Sequence, residues 1–177
     1  PEDIGLAIEY LKKAAEIPTD DQVYLKILLD RLASYSYFSG ECEQAIETLQ
    51  RIVSMGNPAG QSLNNLAYMM LDCNGDASGA IVYSVRALQK GPANPQYLDT
   101  HGTILLELGR YAEAEPLITQ AVAIKPSASN LIHYAQLLVR TERNEQARVI
   151  IRRISTEFPQ LSAKQQALVN ELIDLTS

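Results

Sequence analysis

Chemistry in this 177-residue chain would have to rest on very few side chains, since it holds two histidines, two cysteines and no tryptophan. His101 and His133 are the first candidates for proton transfer, because histidine titrates near neutrality. General acid–base work needs two groups converging on one substrate atom. Asp99, Thr103 and Glu107 follow one another by a helical turn each, so they share a face. No His or Cys can be placed beside them from spacing, and a charged helix face is read first as a solvated one. His101 is expected to pack within a helix pair, and His133 to be a solvated histidine ahead of a ligand contact. Cys42, Cys73, His101 and His133 lack the spacing of a Cys2His2 zinc finger. Glycine-rich phosphate loops, Gly-x-Ser-x-Gly and His-Glu-x-x-His are absent. The reading is of a chain with no catalytic residue, no cofactor and no metal, and not an enzyme.

Composition narrows the partners. Fifteen Lys and Arg against 21 Asp and Glu give a net charge of −6, the wrong sign for a dedicated nucleic-acid binder. With 46% apolar and 20% charged residues the chain is of ordinary globular type. Its longest apolar run, Leu66 to Leu71, is six residues, against roughly 18 for a membrane-spanning helix. No membrane insertion is expected. The sequence opens Pro1-Glu2 without a charged-then-apolar leader, so the compartment stays unassigned and a start without Met reads as a mature product or an excised fragment.

The elements that must position any site come in repeats. Ala33, Ala67, Gly102 and Ala135 recur at intervals of 34, 35 and 33 residues, each four residues after a leucine: Leu29, Leu63, Leu98 and Leu131. Farther on, Ala45, Ala80, Ala114 and Ala147 keep the same period and open a second apolar stripe. Turn residues such as Ser39-Gly40-Glu41 and Leu108-Gly109-Arg110 lie between the stripes. Apolar positions at i, i+3, i+4 and i+7 predict amphipathic helices. A small residue on each helix lets its neighbour approach to the short end of the ~8–10 Å interaxial range. Prolines 92, 126 and 159 end the second helices.

This pattern resembles the tetratricopeptide repeat family, most clearly in Asn94-Pro95-Gln96-Tyr97-Leu98-Asp99-Thr100-His101-Gly102, Gly109-Arg110-Tyr111, Ala114, Ala121 and Pro126. The resemblance covers about residues 22 to 159. Leucine replaces the family's tryptophan, Glu142 stands where a turn glycine is usual, and Ile52 and Ile154 replace a small residue. The expected fold is all-α, a right-handed α-solenoid of helix–turn–helix repeats. A half repeat (1–18, second helix only) is followed by repeats at 22–58, 59–93, 94–127 and 128–160, and a capping helix at 161–177. Cys42 and Cys73 fall near turns of successive units and are expected as two free thiols, because adjacent units are expected to stack too far apart for easy bridging.

The resemblance implies that first helices line a concave inner surface. In the first two repeats that face carries Asp30, Ser34, Tyr37, Asn64, Asn65 and Tyr68, with Ile27, Phe38, Gln61, Leu71 and Asp72. In the next two it carries Asp99, Thr103, Glu107, His133, Gln136 and Arg140, with Gln96, Leu106, Ser129, Ile132 and Val139. Peptide-gripping relatives repeat an asparagine at the place of Asn65, and here the ladder reads Arg31, Asn65, Thr100, His133. The basic clamp of chaperone-tail binders is absent. Asp30, Asp72, Asp99 and Glu107 against Arg31 and Arg140 leave the face at −2. The leading expectation is therefore a non-enzymatic interaction module or scaffold whose groove binds a neutral-to-basic protein or peptide segment. The alternatives are an accessory region of a larger protein, an enzyme or an assembly or secretion component, and weak homo-association through the N-terminal half repeat.

Overall fold

The computed structural model describes residues 3–177. The first two residues of the expected half repeat lie outside the described residues. Two compact units divide the chain, 1–90 and 91–177. The first holds α1 (Ile4–Glu16), α2 (Gln22–Phe38), α3 (Cys42–Ser54), α4 (Gly60–Asn74) and α5 (Ala77–Lys90). The second holds α6 (Pro95–Glu107), α7 (Tyr111–Ile124), α8 (Ala128–Arg140), α9 (Asn144–Glu157) and α10 (Ala163–Thr176). Among the described residues there is no strand, and no helix is long and apolar enough to cross a membrane. The fold is all-α, made of helix–turn–helix pairs.

Local chemistry sets the helix ends. The Asp21 carboxylate accepts the N–H groups of Val23 and Tyr24 at the start of α2, satisfying two donors that have no intrahelical acceptor. Asn94 caps α6 ahead of Pro95, whose missing N–H costs nothing at the first helical position. Ser127 with Asn130, and Ser162 with Gln165, form reciprocal capping boxes for α8 and α10. Gly40, Gly75 and Gly109 turn the chain at φ between +65° and +87°, where a Cβ is disfavoured. Glu142 adopts the same left-handed conformation, φ +59°, in the α8–α9 turn.

Small residues carry the close helix contacts. Ala33, Ala67 and Ala135 on first helices, and Ala45, Ala80, Ala114 and Ala147 on second helices, are fully buried. At Gly102 a Cβ would come within 2.6 Å of Ile118 Cγ1, so α6 and α7 meet there with no room for a methyl group. In the first unit, pairs α2–α3 and α4–α5 pack face to face, α3 also packs on α4, and α1 lies on α2. Leu29, Leu49, Ile52 and Leu66 are core residues there. In the second unit α10 closes over α8 and α9, with Leu131, Ile154, Val169 and Leu172 between them.

Cys42 and Cys73 are not free thiols. They form a disulfide between the first residue of α3 and the last turn of α4, with Cα atoms 6.1 Å apart. The expectation of wide spacing fails because α3 packs directly on α4, which brings its N-terminus against the C-terminal turn of that helix. That separation is ordinary for a disulfide.

Candidate peptide-binding surface

In the first unit, α2 and α4 present an aromatic and acidic cluster. The Tyr37 hydroxyl donates to Asp72 Oδ2 at 2.6 Å. A phenol has one proton, so the Tyr68 hydroxyl, 3.2 Å away, is placed to donate into the Tyr37 oxygen. Burial first, then the hydrogen bonds to Asp72 and Tyr68, push the Tyr37 phenol far above its ordinary value, so it stays a neutral donor. Its ring meets Phe38 edge-on at 5.6 Å and Tyr68 at 5.8 Å, a favoured aromatic geometry. Phe38 is 73% exposed and Tyr68 36%, so the cluster shows an apolar surface to solvent.

Phe38 also lines a groove of about 430 Å3 with Asp30, Arg31, Tyr35, Gln61 and Asn65. Asp30 Oδ2 accepts from Ser62 Oγ at 2.7 Å, whereas its Oδ1 is buried with no hydrogen-bond partner. Burial raises the Asp30 carboxyl above its ordinary value, with the Ser62 bond pulling the other way. Asn65 Oδ1 accepts from Gln61 Nε2 at 2.7 Å along α4. Ser34, also at this face, turns its hydroxyl back to the Asp30 carbonyl. Asn64 is buried, its Oδ1 likewise without a partner. Ser62 and Tyr35 were missed among the candidates. Ser62 takes a place held in the other repeats by Leu28, Tyr97 and Asn130, and nothing in its own helix distinguishes it.

In the second unit, α6 and α8 bring Asp99 and His133 together. His133 Nδ1 lies 3.0 Å from both Asp99 oxygens, and the side chains are only 18% and 15% exposed. His133 is therefore paired rather than solvated, because α8 packs on α6 one repeat earlier and aims the ring at the carboxylate. Thr103 donates to the Asp99 carbonyl. Glu107 and Arg140 are exposed and Gln136 is half-buried. Leu106 and Ile132, expected on this face, are buried core residues instead. His101 is half-buried. Burial, then the charge of Arg110, lowers its pKa, while Glu113 opposes. A larger cavity, about 570 Å3, lies elsewhere, between α9 and α10 beside Arg148, Arg152 and Ile173. The Arg148 guanidinium there is held by Glu145 and the Thr176 carbonyl.

Comparison places these helix pairs in a known fold. Residues 105–172 match the sequence model of the family described as Tetratricopeptide repeat. No curated protein matches the sequence. Among solved structures, a tetratricopeptide repeat protein of Parabacteroides merdae is 19% identical with a TM-score of 0.74, the match covering 98% of this chain and 67% of that one. A thermophilic tetratricopeptide repeat protein of Thermus thermophilus gives 16%, 0.75, 96% and 90% in the same order. YrrB, described as a tetratricopeptide repeat protein with an unusual peptide-binding site, gives 14%, 0.70, 97% and 84%. The tetratricopeptide resemblance of the sequence is borne out.

Proposed function

We propose that the chain is a non-enzymatic protein-interaction module that holds a neutral-to-basic protein segment on the inner faces of its first helices. The observation that carries this reading is the α2–α4 surface. There Phe38 and Tyr68 are exposed, and Phe38 lines a groove together with the acidic Asp30 and the basic Arg31. Tyrosine and phenylalanine give large contact area at small entropic cost, and such anchors dominate affinity at interfaces. In the second unit the expected counterparts on α6 and α8 are Asp99, Thr103, Glu107, His133, Gln136 and Arg140, of which Glu107 and Arg140 are exposed while Asp99 and His133 are largely buried against each other. Over both faces Asp30, Asp72, Asp99 and Glu107 outnumber Arg31 and Arg140 by two. Charges of one sign repel like-charged segments and speed encounter with opposite ones. YrrB, with its peptide-binding site, supports the peptide class of ligand.

We assign the pairs to repeats at 22–58, 59–93, 94–127 and 128–160, with α1 as a second helix and α10 as a cap. The test is a library of short peptides of graded charge, captured by the chain at two salt concentrations. Neutral and basic peptides should be retained and acidic ones rejected, the contrast shrinking at high salt. Preferential capture of acidic peptides would overturn the reading. A second reading, weak homo-association through α1, is favoured by the exposure of Leu6 and Tyr10 on that helix. A mass that stays monomeric at millimolar concentration would exclude it.

A further inference from the structure

Asp30 is an expensive residue in its setting. One oxygen is held by Ser62, the other is buried without a hydrogen bond, and no ion pair to it forms among the described residues. A half-buried carboxylate left this way costs folding free energy, and a residue kept only for stability would be better as an amide or an apolar group. The carboxylate lines the open groove, which is flanked by the aromatic rings of Tyr35 and Phe38, 38% and 73% exposed. An acid beside two exposed aromatic side chains is complementary to a planar cation that can hydrogen-bond at its edge and stack on its face.

We propose that this groove receives a single arginine of the bound segment, its guanidinium directed to Asp30 and its plane laid against Phe38 or Tyr35. The proposal rests on the peptide-binding reading above and adds which side chain enters and where. Arginine fits better than lysine because its guanidinium is flat and more weakly hydrated, so it loses less on leaving water for an aromatic surface. One cation fits better than two because Asp30 is the one carboxylate that lines the groove, and Arg31 beside it leaves no negative charge for a second. The surroundings favour the cation at longer range. Residues 1–90 hold 7 Lys and Arg against 12 Asp and Glu, a net charge of −5, whereas 91–177 hold 8 against 9, a net of −1. The sequence alone placed Asp30 on this face. What points to arginine is a carboxylate without an ion-pair partner lining a groove beside two exposed aromatic side chains.

The experiment takes a set of short neutral-to-basic peptides, each with one arginine, and compares each by calorimetry with its counterparts carrying citrulline or lysine at that position. Citrulline keeps the shape and removes the charge. The arginine peptide should bind the unaltered chain about tenfold more tightly than the citrulline one, with lysine between. Asp30→Asn should abolish that difference without lowering the melting temperature. Phe38→Ala, at an exposed position where folding is not at stake, should reduce it. Equal binding of the arginine and citrulline peptides, or discrimination that survives Asp30→Asn, overturns the arginine assignment while leaving the peptide-binding reading standing. Failure of every peptide to bind overturns both.

Discussion

His133 Nδ1 sits 3.0 Å from each carboxylate oxygen of Asp99, a residue 34 positions earlier on the neighbouring first helix. The contact ties α8 to α6 with a charge-assisted hydrogen bond that is mostly shielded from water. Removing one partner leaves the other poorly solvated. Asp99→Ala or His133→Ala should each cost about 1–3 kcal/mol in urea unfolding at neutral pH. The double variant should lose less than the sum, with a coupling of about 1 kcal/mol. Strict additivity would mean that the pair contributes nothing to the second unit.

Cys42 and Cys73 close a loop across 31 residues of sequence, joining the start of α3 to the end of α4. Cross-linking restricts the unfolded chain, so reduction should lower stability by about 2–4 kcal/mol. Thermal unfolding with and without reductant measures this. Cys42→Ser should match the reduced chain and gain nothing from oxidant. Identical melting under both conditions would show that the bridge does not form in solution.

Ala114 and Ala147 have no solvent exposure, and each lies on a second helix facing its partner. Leucine at either position has no space to occupy, so Ala114→Leu or Ala147→Leu should overpack the contact by about 1–3 kcal/mol. Circular-dichroism melts of the two variants are sufficient. An unchanged midpoint would place these alanines somewhere other than the helix interface.

Stability should respond to pH through two half-buried groups of opposite sense. Burial, then the charge of Arg110, holds His101 below its ordinary 6.5, so folding keeps its contribution above that pH and loses it as pH falls through the lower folded value. Burial holds Asp30 above 3.8, so its contribution to folding is complete below that pH and is lost as pH rises through the higher folded value. His101→Gln should flatten the decline below pH 6.5. Asp30→Asn should raise the melting temperature at pH 7 and have no effect at pH 3. Melting curves from pH 3 to 8 decide both. A neutral-pH loss in Asp30→Asn would contradict the cost assigned to its burial.

How much of this could be read in the sequence depends on the range of the cause. The helices and their all-α class follow from period and from caps such as Asn94-Pro95, which act within a few residues. The buried alanines were legible because a repeated small residue has one physical use between antiparallel helices. Glu142 was recognisable as a departure from glycine, and its φ of +59° shows that the turn imposes its geometry whatever residue sits there. The disulfide, the Asp99–His133 pair and the Ser62 bond to Asp30 were not legible. Each depends on how one helix pair lies against the next, over separations of 31 to 34 residues, and a shift of an ångström makes or breaks it. Leu106 and Ile132 were misplaced for a related reason. On a helix packed on two sides the boundary between inner face and core falls within a single residue step, about 100° of turn.

The proposed peptide binding rests on the α2–α4 surface of the first unit. The most direct test is the affinity of a retained neutral-to-basic peptide for Tyr68→Ala, measured by calorimetry beside a melting curve that shows the variant folded. Tyr68 packs edge-on against Tyr37, and part of its ring is open to solvent, so its loss should remove an anchor while leaving the core intact. Affinity should fall about tenfold or more. An unchanged affinity in a folded Tyr68→Ala chain would contradict binding at this face.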